Sequence, residues 1–197
     1  MYKRQFTLNA KRTTNLAEKI LQADLDLHFG AQTRSELVSS ELLGKLAEAG
    51  LKFLSFGLET TNEEALLSVM KVRSLEQHCK AAIDAVRNCE DFGIQSCFNL
   101  IVGFPNETDE TLKKTFQFVK EVKPSFVSLS ALALYPHEDP KVTEQYEAGV
   151  CREPIWVNYD EGFGAVHPNM DAKRAESVWD LAKSELGSLL DVAGTPE

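Results

Sequence analysis

The sequence predicts an α/β fold in which parallel strands are covered by helices, because segments with strand periodicity alternate with segments of helical periodicity. Each helical segment between two strands is long enough to act as the crossover that parallel pairing requires. The run from Cys97 to Val102 is apolar at almost every position, which is typical of a strand buried on both faces of a parallel sheet. Periodicity alone fits an open doubly wound sheet and an arc of a barrel equally well.

The first helix and strand are predicted near the start of the chain. Apolar residues recur at helical spacing over residues 13–23, and the alternating run of Leu25, Leu27 and Phe29 then predicts a strand that ends near Arg34. The first few residues show neither a strand nor a helix cap. We therefore expect the chain to start inside a domain of a longer protein.

The second helix is predicted to begin at a cap formed by Ser39 and Ser40 and to end at Gly50. A strand is predicted over residues 51–56. The short helix that follows carries the apolar residues Leu66, Leu67 and Met70.

A fourth helix is predicted from Ser74 to Gly93. Gln77 follows Ser74 by three residues, which is the spacing of a capping box. The predicted buried face consists of Leu75, Cys79, Ala82, Ile83 and Val86. This helix leads directly into the apolar strand at residues 97–102.

The alternation continues through one more helix and strand. Thr108 or Asp109 is predicted to begin a helix that ends before Pro124, and residues 126–134 form the next predicted strand. The apolar stripe of this helix consists of Leu112, Phe116, Val119 and Val122.

Beyond Pro140 the pattern changes to a polar, turn-rich stretch and then a helix over about residues 171–190. We therefore predict two parts. Residues 1–140 contain the strands, and residues 141–197 form a C-terminal extension that is mostly loop and then helix.

Composition excludes several classes of protein. The chain is 43% apolar, and its formal net charge of −9 comes from interspersed residues of both signs, so no basic face is available to phosphate backbones. No apolar stretch approaches the roughly 20 residues needed to span a bilayer, and no secretory signal is recognisable. We expect a cytoplasmic protein that binds neither nucleic acid nor membranes.

Cysteine and histidine spacing predicts no metal site and no catalytic residue. The four cysteines fit no C-x-x-C pattern, and no two of the four histidines lie at metal-ligand spacing. These residues are Cys79, Cys89, Cys97, Cys151, His28, His78, His137 and His167. We expect structural roles for all of them, with the thiols reduced.

Polar, glycine and proline residues mark the predicted strand ends, where parallel α/β folds place the residues that act on substrates. These ends are Gln32-Thr33-Arg34, Gly57-Leu58-Glu59, Gly103-Phe104-Pro105 and Tyr135-Pro136-His137. Arg34 can donate to a carboxylate, and Glu59 can accept from an amino group or a ribose hydroxyl. Either side chain could instead pair with a neighbouring helix residue or lie in a solvated loop.

The third strand carries further candidate residues. Asn99 lies inside the apolar run, so its amide needs a partner from the backbone or from a ligand. Gly103 allows the backbone to approach a flat ligand closely, and Ile101 and Val102 could border that ligand. A glycine followed by Phe104-Pro105 is also an ordinary turn.

In order and spacing, several segments together resemble the radical S-adenosylmethionine (SAM) superfamily, especially the branch whose members often carry an upstream cobalamin-binding domain. The likeness extends from about Phe6 to Pro140. The segments are Phe6-Thr7-Leu8-Asn9, Ala31-Gln32-Thr33-Arg34, Phe56-Gly57-Leu58-Glu59-Thr60, Leu100-Ile101-Val102-Gly103-Phe104-Pro105-Asn106-Glu107-Thr108 and Tyr135-Pro136.

The resemblance implies a fold, a chemistry and site residues. The fold is a partial, open (β/α)₆ barrel to which this chain contributes the later strands. In the family a [4Fe–4S] cluster on three cysteines binds SAM and supplies the electron that releases a 5′-deoxyadenosyl radical. The resemblance further implies that Arg34 and Glu59 contact SAM or substrate. It places the strand from Asn99 to Gly103 beside the adenosine moiety, and the candidate cofactor-binding residues of this region are Asn99, Ile101, Gly103 and Pro105.

The sequence departs from the family because the C-x-x-x-C-x-x-C loop is missing, and no cysteine present replaces it. We therefore expect a fragment of a radical SAM enzyme that does not cleave SAM by itself and holds neither the cluster nor cobalamin completely. Its expected partners are a small-molecule substrate and a second copy paired through the exposed barrel edge. Two alternatives are a non-catalytic, degenerate barrel that acts as a scaffold and a tRNA methylthiotransferase-like enzyme, although the acidic charge disfavours RNA.

Overall fold

Four parallel strands form one sheet in the computed structural model, which describes residues 6–69, 74–104, 107–132 and 172–190. The strands are β1 (Phe29–Thr33), β2 (Leu51–Glu59), β3 (Gln95–Val102) and β4 (Phe126–Ala131). Their spatial order is the same as their order along the chain. A doubly wound sheet reverses its strand order at a switch point, so this unreversed order identifies an arc of a β/α barrel and confirms the predicted fold class.

Helices connect the strands and cover one side of the sheet. They are α1 (Ala10–Gln22), α2 (Ser40–Glu48), α3 (Glu63–Val69), α4 (Leu75–Asp91), α5 (Asp109–Val122) and α6 (Ala172–Leu186), with short 3₁₀ turns at Ser35–Leu37 and Gly187–Leu189. None of the helices in these described ranges is long and apolar enough to cross a membrane.

Polar caps fix where the helices begin. Ser39 accepts from the Leu42 amide at 3.2 Å and Ser74 from the Gln77 amide at 3.4 Å, as the sequence predicts. Thr108, rather than Asp109, caps α5, and the Thr111 hydroxyl in turn accepts from the Thr108 amide at 2.9 Å.

Helix α1 begins three residues earlier than predicted. The Asn9 side chain accepts from the Arg12 amide at 3.0 Å and so satisfies a free donor of the first turn. Thr13 and Ala17 are the buried residues of this helix, whereas Leu16 and Leu21 are exposed.

The hydrophobic core lies between the sheet and the helices. Every second residue of β2 and β3 points outward into it: Leu54, Phe56, Leu58, Phe98, Leu100 and Val102. The helices contribute Leu43, Leu46, Val86, Cys89, Leu112 and Phe116 to the same core. Because all of these side chains are almost fully buried, the core fixes the sheet against its helical layer.

The prediction of a strand at Leu25 and Leu27 was wrong. These residues are 53% and 40% exposed, and β1 begins only at Phe29. The reason is register: Phe29 pairs with Leu51, the first residue of β2, so the preceding residues have no strand to pair with. His28, predicted to lie in this strand, is also outside it.

The predicted burial of β3 on both faces was only partly right. Ser96, Cys97 and Phe98 are buried, but Asn99 and Ile101 are only half-buried. These two residues lie on the inner side of the arc, opposite to the core between the sheet and the helices.

The buried face of α4 also differs from its prediction. Its buried residues are His78, Ala82, Ala85, Val86 and Cys89. Leu75, Cys79 and Ile83, which were predicted to be buried, are only half-buried. The face is rotated because His78, for which a structural role was expected, is accommodated in the core by a hydrogen bond to the Leu58 carbonyl oxygen.

Helix α6 belongs to the same core as the barrel strands. It packs against α5, and its residues Val178, Ala182 and Leu186 are buried within the common cluster. Leu190 then forms an isolated parallel bridge with Val127 of β4. The boundary predicted at Pro140 and the last predicted strand residues, 133–134, lie outside the described residues.

Shortening Leu186 to alanine should lower the free energy of unfolding by about 2–5 kcal/mol, because the change leaves a cavity in the shared core. Urea unfolding followed by circular dichroism measures this change. The control is Leu8→Ala, at a position that is 67% exposed. If the main unfolding transition of Leu186→Ala occurs at the same urea concentration as that of the parent chain, α6 does not share the barrel core.

Candidate functional site

The inner face of the arc is lined mainly by polar and small residues. Ser55 and Gly57 of β2, Asn99 of β3 and Ser128 of β4 lie on this face, because paired residues of parallel strands point to the same side. The outer face of the same strands is apolar and buried. The sheet is therefore built to present hydrogen-bonding groups to whatever occupies the concave side.

Glu59 ends β2 in an uncommon backbone conformation. Its φ of 63° lies in the left-handed region, and the pairing of β2 with β3 shifts register between Gly57 and Glu59. A non-glycine residue with this φ is strained, and such strain is concentrated at functional sites. Strand β2 extends to Glu59, beyond the predicted end at residue 56, so the candidate carboxylate is fixed to the sheet and does not lie on a loop.

The Glu59 carboxylate folds back over Gly57. A Cβ at Gly57 would lie only 2.5 Å from Glu59 Oε1. Because Gly57 pairs with Asn99 on the inner face, the carboxylate lies on that face too. Gly57 therefore provides the space that allows Glu59 to face the concave side.

Asn99 has a partner that the sequence did not indicate. Its Nδ2 donates to Ser55 Oγ of the neighbouring strand at 2.8 Å. We predicted a backbone or ligand partner, and the amide nitrogen instead uses a side chain on the same inner face. This bond fixes the amide beside Gly57.

The end of β3 is closed by a glutamate that sequence reasoning missed. Gly103 has a φ of 93°, and its amide donates to Glu107 Oε1 at 2.7 Å. Phe104 is buried in a small cluster with Ala65 and Leu132, and Ile101 packs against it. The signal was available, because a carboxylate four residues after a strand-end glycine can reach back to the glycine amide. Pro105 lies outside the described residues, as does the predicted strand end at 135–137.

Burial raises the pKa of Glu107 to about 7, while the hydrogen bond from Gly103 and the charge of Arg174 oppose the shift. The second carboxylate oxygen is buried and has no hydrogen-bond partner among the described residues. The β3–α5 loop is therefore closed by an acid that takes up a proton near neutral pH.

Arg34 lies at the end of β1 and is 43% exposed on its side chain. Its guanidinium forms an ion pair with Glu36, which corresponds to the structural alternative considered from the sequence. The preceding residue, Thr33, forms a buried hydroxyl contact with Thr7. Arg34 is thus present at the same edge as Glu59, on the neighbouring strand, but it has a local partner.

The described cysteines do not form a set of cluster ligands with one another or with nearby metal-binding residues. Burial raises the pKa of the Cys89 thiol to about 12 and also raises the pKa of Cys79. Within the described ranges, no group of three or more His, Cys, Asp or Glu residues could hold a metal ion. Cys151 lies outside them.

The fold and site define an arc of a parallel β/α barrel with a polar concave face. The family model of the radical SAM superfamily matches residues 5–119. The chain therefore belongs to the radical SAM superfamily.

Three similar proteins illustrate the relationship. An uncharacterized methyltransferase of Pyrococcus horikoshii is 29% identical over 131 residues, which is 66% of this chain and 28% of that protein. The anaerobic magnesium-protoporphyrin IX monomethyl ester cyclase of Rubrivivax gelatinosus is 29% identical over 135 residues, 68% of this chain and 24% of the cyclase. The structure of the radical SAM methyltransferase TsrM from Kitasatospora setae, with cobalamin and a [4Fe–4S] cluster bound, matches with a TM-score of 0.72 and 18% identity over 96% of this chain and 44% of TsrM.

The chain thus spans about a quarter of the length of these curated relatives, 28% and 24%, and less than half of TsrM, 44%. At 18% identity the similarity to TsrM establishes the fold alone. Family membership supports the assignment of this segment to a protein class that uses SAM and an iron–sulfur cluster.

Replacing Glu107 with glutamine should remove a pH dependence of stability. A carboxyl whose pKa is raised in the folded state favours folding below its unfolded pKa, and that contribution is lost as the pH rises from about 4.5 to about 7. Glutamine keeps an oxygen that accepts from Gly103 but carries no charge. As the pH rises from 5 to 8, we expect the free energy of unfolding of the variant to increase by about 1–3 kcal/mol relative to that of the parent chain.

Urea unfolding at these two pH values measures the gain, and Glu48→Gln, an exposed change at the end of α2, is the control. Parallel pH profiles for the parent chain and Glu107→Gln would contradict the raised pKa.

Proposed function

We propose that this chain is the later wall of the catalytic barrel of a radical SAM enzyme and that its inner face binds SAM next to a small-molecule substrate. The observation that carries the proposal is the Glu59 carboxylate, held over Gly57 at the carboxyl end of β2 and facing the concave side. Family membership of this segment supports the choice of SAM as the ligand.

The residues of the inner face fit the parts of SAM. Glu59 can accept hydrogen bonds from the ribose hydroxyls or the amino group, as a carboxylate has acceptors only. Ile101 is half-buried and offers an apolar border for the adenine ring, and Gly103 allows its backbone to approach the ring closely. The amide of Asn99, fixed by Ser55, supplies a further polar contact.

In this proposal the chain positions SAM and excludes water, while the radical chemistry depends on groups outside it. When bound together, SAM and a [4Fe–4S] cluster supply a 5′-deoxyadenosyl radical that abstracts hydrogen from substrate. Within the described residues no group of three or more His, Cys, Asp or Glu could hold a metal ion, so in this proposal the cluster ligands belong to another part of a longer protein. By itself the chain is expected to be inactive in SAM cleavage.

The proposed parent enzyme acts in the cytoplasm and belongs to the branch with an upstream cobalamin-binding domain. The fold similarity to TsrM, whose structure contains cobalamin, supports this assignment. The two alternatives are a scaffold without catalysis and a tRNA methylthiotransferase-like activity. The binding experiment at the end of this subsection distinguishes them. For the isolated chain, we propose pairing of two copies through the edge of the arc, where Leu25 and Leu27 are exposed.

Changing Gly57 or Glu59 to alanine should weaken SAM binding about 10- to 100-fold, since a hydrogen bond to a charged group contributes about 1.5–3 kcal/mol. Gly57→Ala acts by displacing the Glu59 carboxylate, a movement of a flexible side chain that leaves the fold intact. Equilibrium dialysis of SAM measures the change on the full-length protein that carries this segment, with its cluster reconstituted anaerobically.

Glu48→Gln at the opposite edge of the sheet is the control and should bind SAM like the parent. A Glu59→Ala protein with unchanged SAM affinity would refute the proposed contact. A reconstituted parent that binds no SAM at all would favour the scaffold alternative, and a reconstituted parent that modifies tRNA would favour the methylthiotransferase.

A further inference from the structure

The backbone at Glu59 forms a very tight turn. The Thr60 amide donates to the Leu58 carbonyl oxygen at 2.8 Å, which closes a three-residue γ-turn around Glu59, whose φ is 63°. γ-Turns with a positive φ are rare and strained. Such a conformation persists only when the surrounding structure holds it in place.

A buried histidine holds the turn from the side of α4. His78 is 8% exposed, and its Nε2 donates at 3.0 Å to the same Leu58 carbonyl oxygen that accepts from Thr60. Because a carbonyl oxygen only accepts, Nε2 carries the proton. Nδ1 is buried and has no hydrogen-bond partner among the described residues. The ring therefore bonds to the turn through Nε2, while Nδ1 forms no hydrogen bond with the described residues.

A buried threonine holds the other side of the turn from α5. Thr115 is 3% exposed, and its Oγ1 accepts from the Thr61 amide at 3.1 Å. The same oxygen lies 2.9 Å from Thr61 Oγ1 and 3.4 Å from Thr60 Oγ1. It also donates to the Thr111 carbonyl at 3.2 Å, which anchors the group to its own helix.

These two polar side chains lie where apolar residues would pack at a lower desolvation cost. His78 and Thr115 come from different helices, yet both bond to the backbone that flanks Glu59, one before it and one after it. The arrangement determines the direction in which Glu59 leaves the strand.

We propose that His78 and Thr115 are positioning residues that hold the Glu59 turn in the geometry that binds SAM. This inference rests on the proposed function, because it assigns a purpose to the orientation of the same carboxylate. The residues touch neither SAM nor substrate, and they act through the backbone of residues 58–61.

The test compares variants that remove each bond with variants that keep it. His78→Leu removes the donor to Leu58, whereas His78→Gln keeps an N–H that can reach it. Thr115→Val removes the hydroxyl at nearly constant shape, whereas Thr115→Ser keeps it. We expect about a tenfold weaker SAM affinity for the first variant of each pair and affinity within about twofold of the parent for the second.

A double-mutant cycle with Glu59→Ala separates positioning from general destabilisation. If His78 acts through Glu59, His78→Leu should cause no further loss of SAM affinity in the Glu59→Ala protein. Equal losses in both backgrounds would overturn the inference. If His78→Leu fails to fold, the Thr115→Val and Thr115→Ser pair gives the same comparison.

Amide exchange of Thr60 in the 197-residue chain gives an independent reading. We expect His78→Leu to speed its exchange at least tenfold and His78→Gln to leave it protected; unchanged exchange in His78→Leu would overturn the inference. If Glu59→Ala leaves SAM affinity unchanged while Thr60 exchange still responds to His78→Leu, the proposed SAM contact is wrong although His78 does hold the turn.

Discussion

Among the described residues, the helices cover only one face of the sheet, and the rest of the described structure depends on this one-sided coverage. The helices bury the outward residues of β2 and β3, including Phe56 and Phe98, and this leaves the alternate positions free to carry polar groups. Parallel sheets are normally covered on both faces. An arc whose inner face carries Ser55, Asn99 and the Glu59 carboxylate is thus suited to a polar ligand.

The order of elements could be predicted from sequence because it depends on local signals. Ser39, Ser74 and Thr108 mark helix starts through bonds to amides three residues away, and these bonds form as expected. The strand-end positions of Glu59 and Gly103 were also predictable, since polar and glycine residues interrupt apolar runs there.

Features that depend on long-range contacts could not be predicted. The burial of His78 requires the Leu58 carbonyl, twenty residues earlier, and so the buried face of α4 could not be read from apolar spacing. The left-handed φ of Glu59 depends on a register shift against β3, and the run at Leu25 lacks a strand only because β2 starts at Leu51. In each case the local structure depends on contacts with a segment that is distant in the sequence.

A crystal structure of the full-length protein with its cluster and SAM bound would show directly where SAM lies. We expect the adenosine part of SAM along the inner face, with a ribose hydroxyl or the amino group within hydrogen-bond distance of Glu59 and the adenine ring against Ile101 and Gly103. SAM bound away from this face, with Glu59 turned to solvent or to another protein side chain, would contradict this expectation.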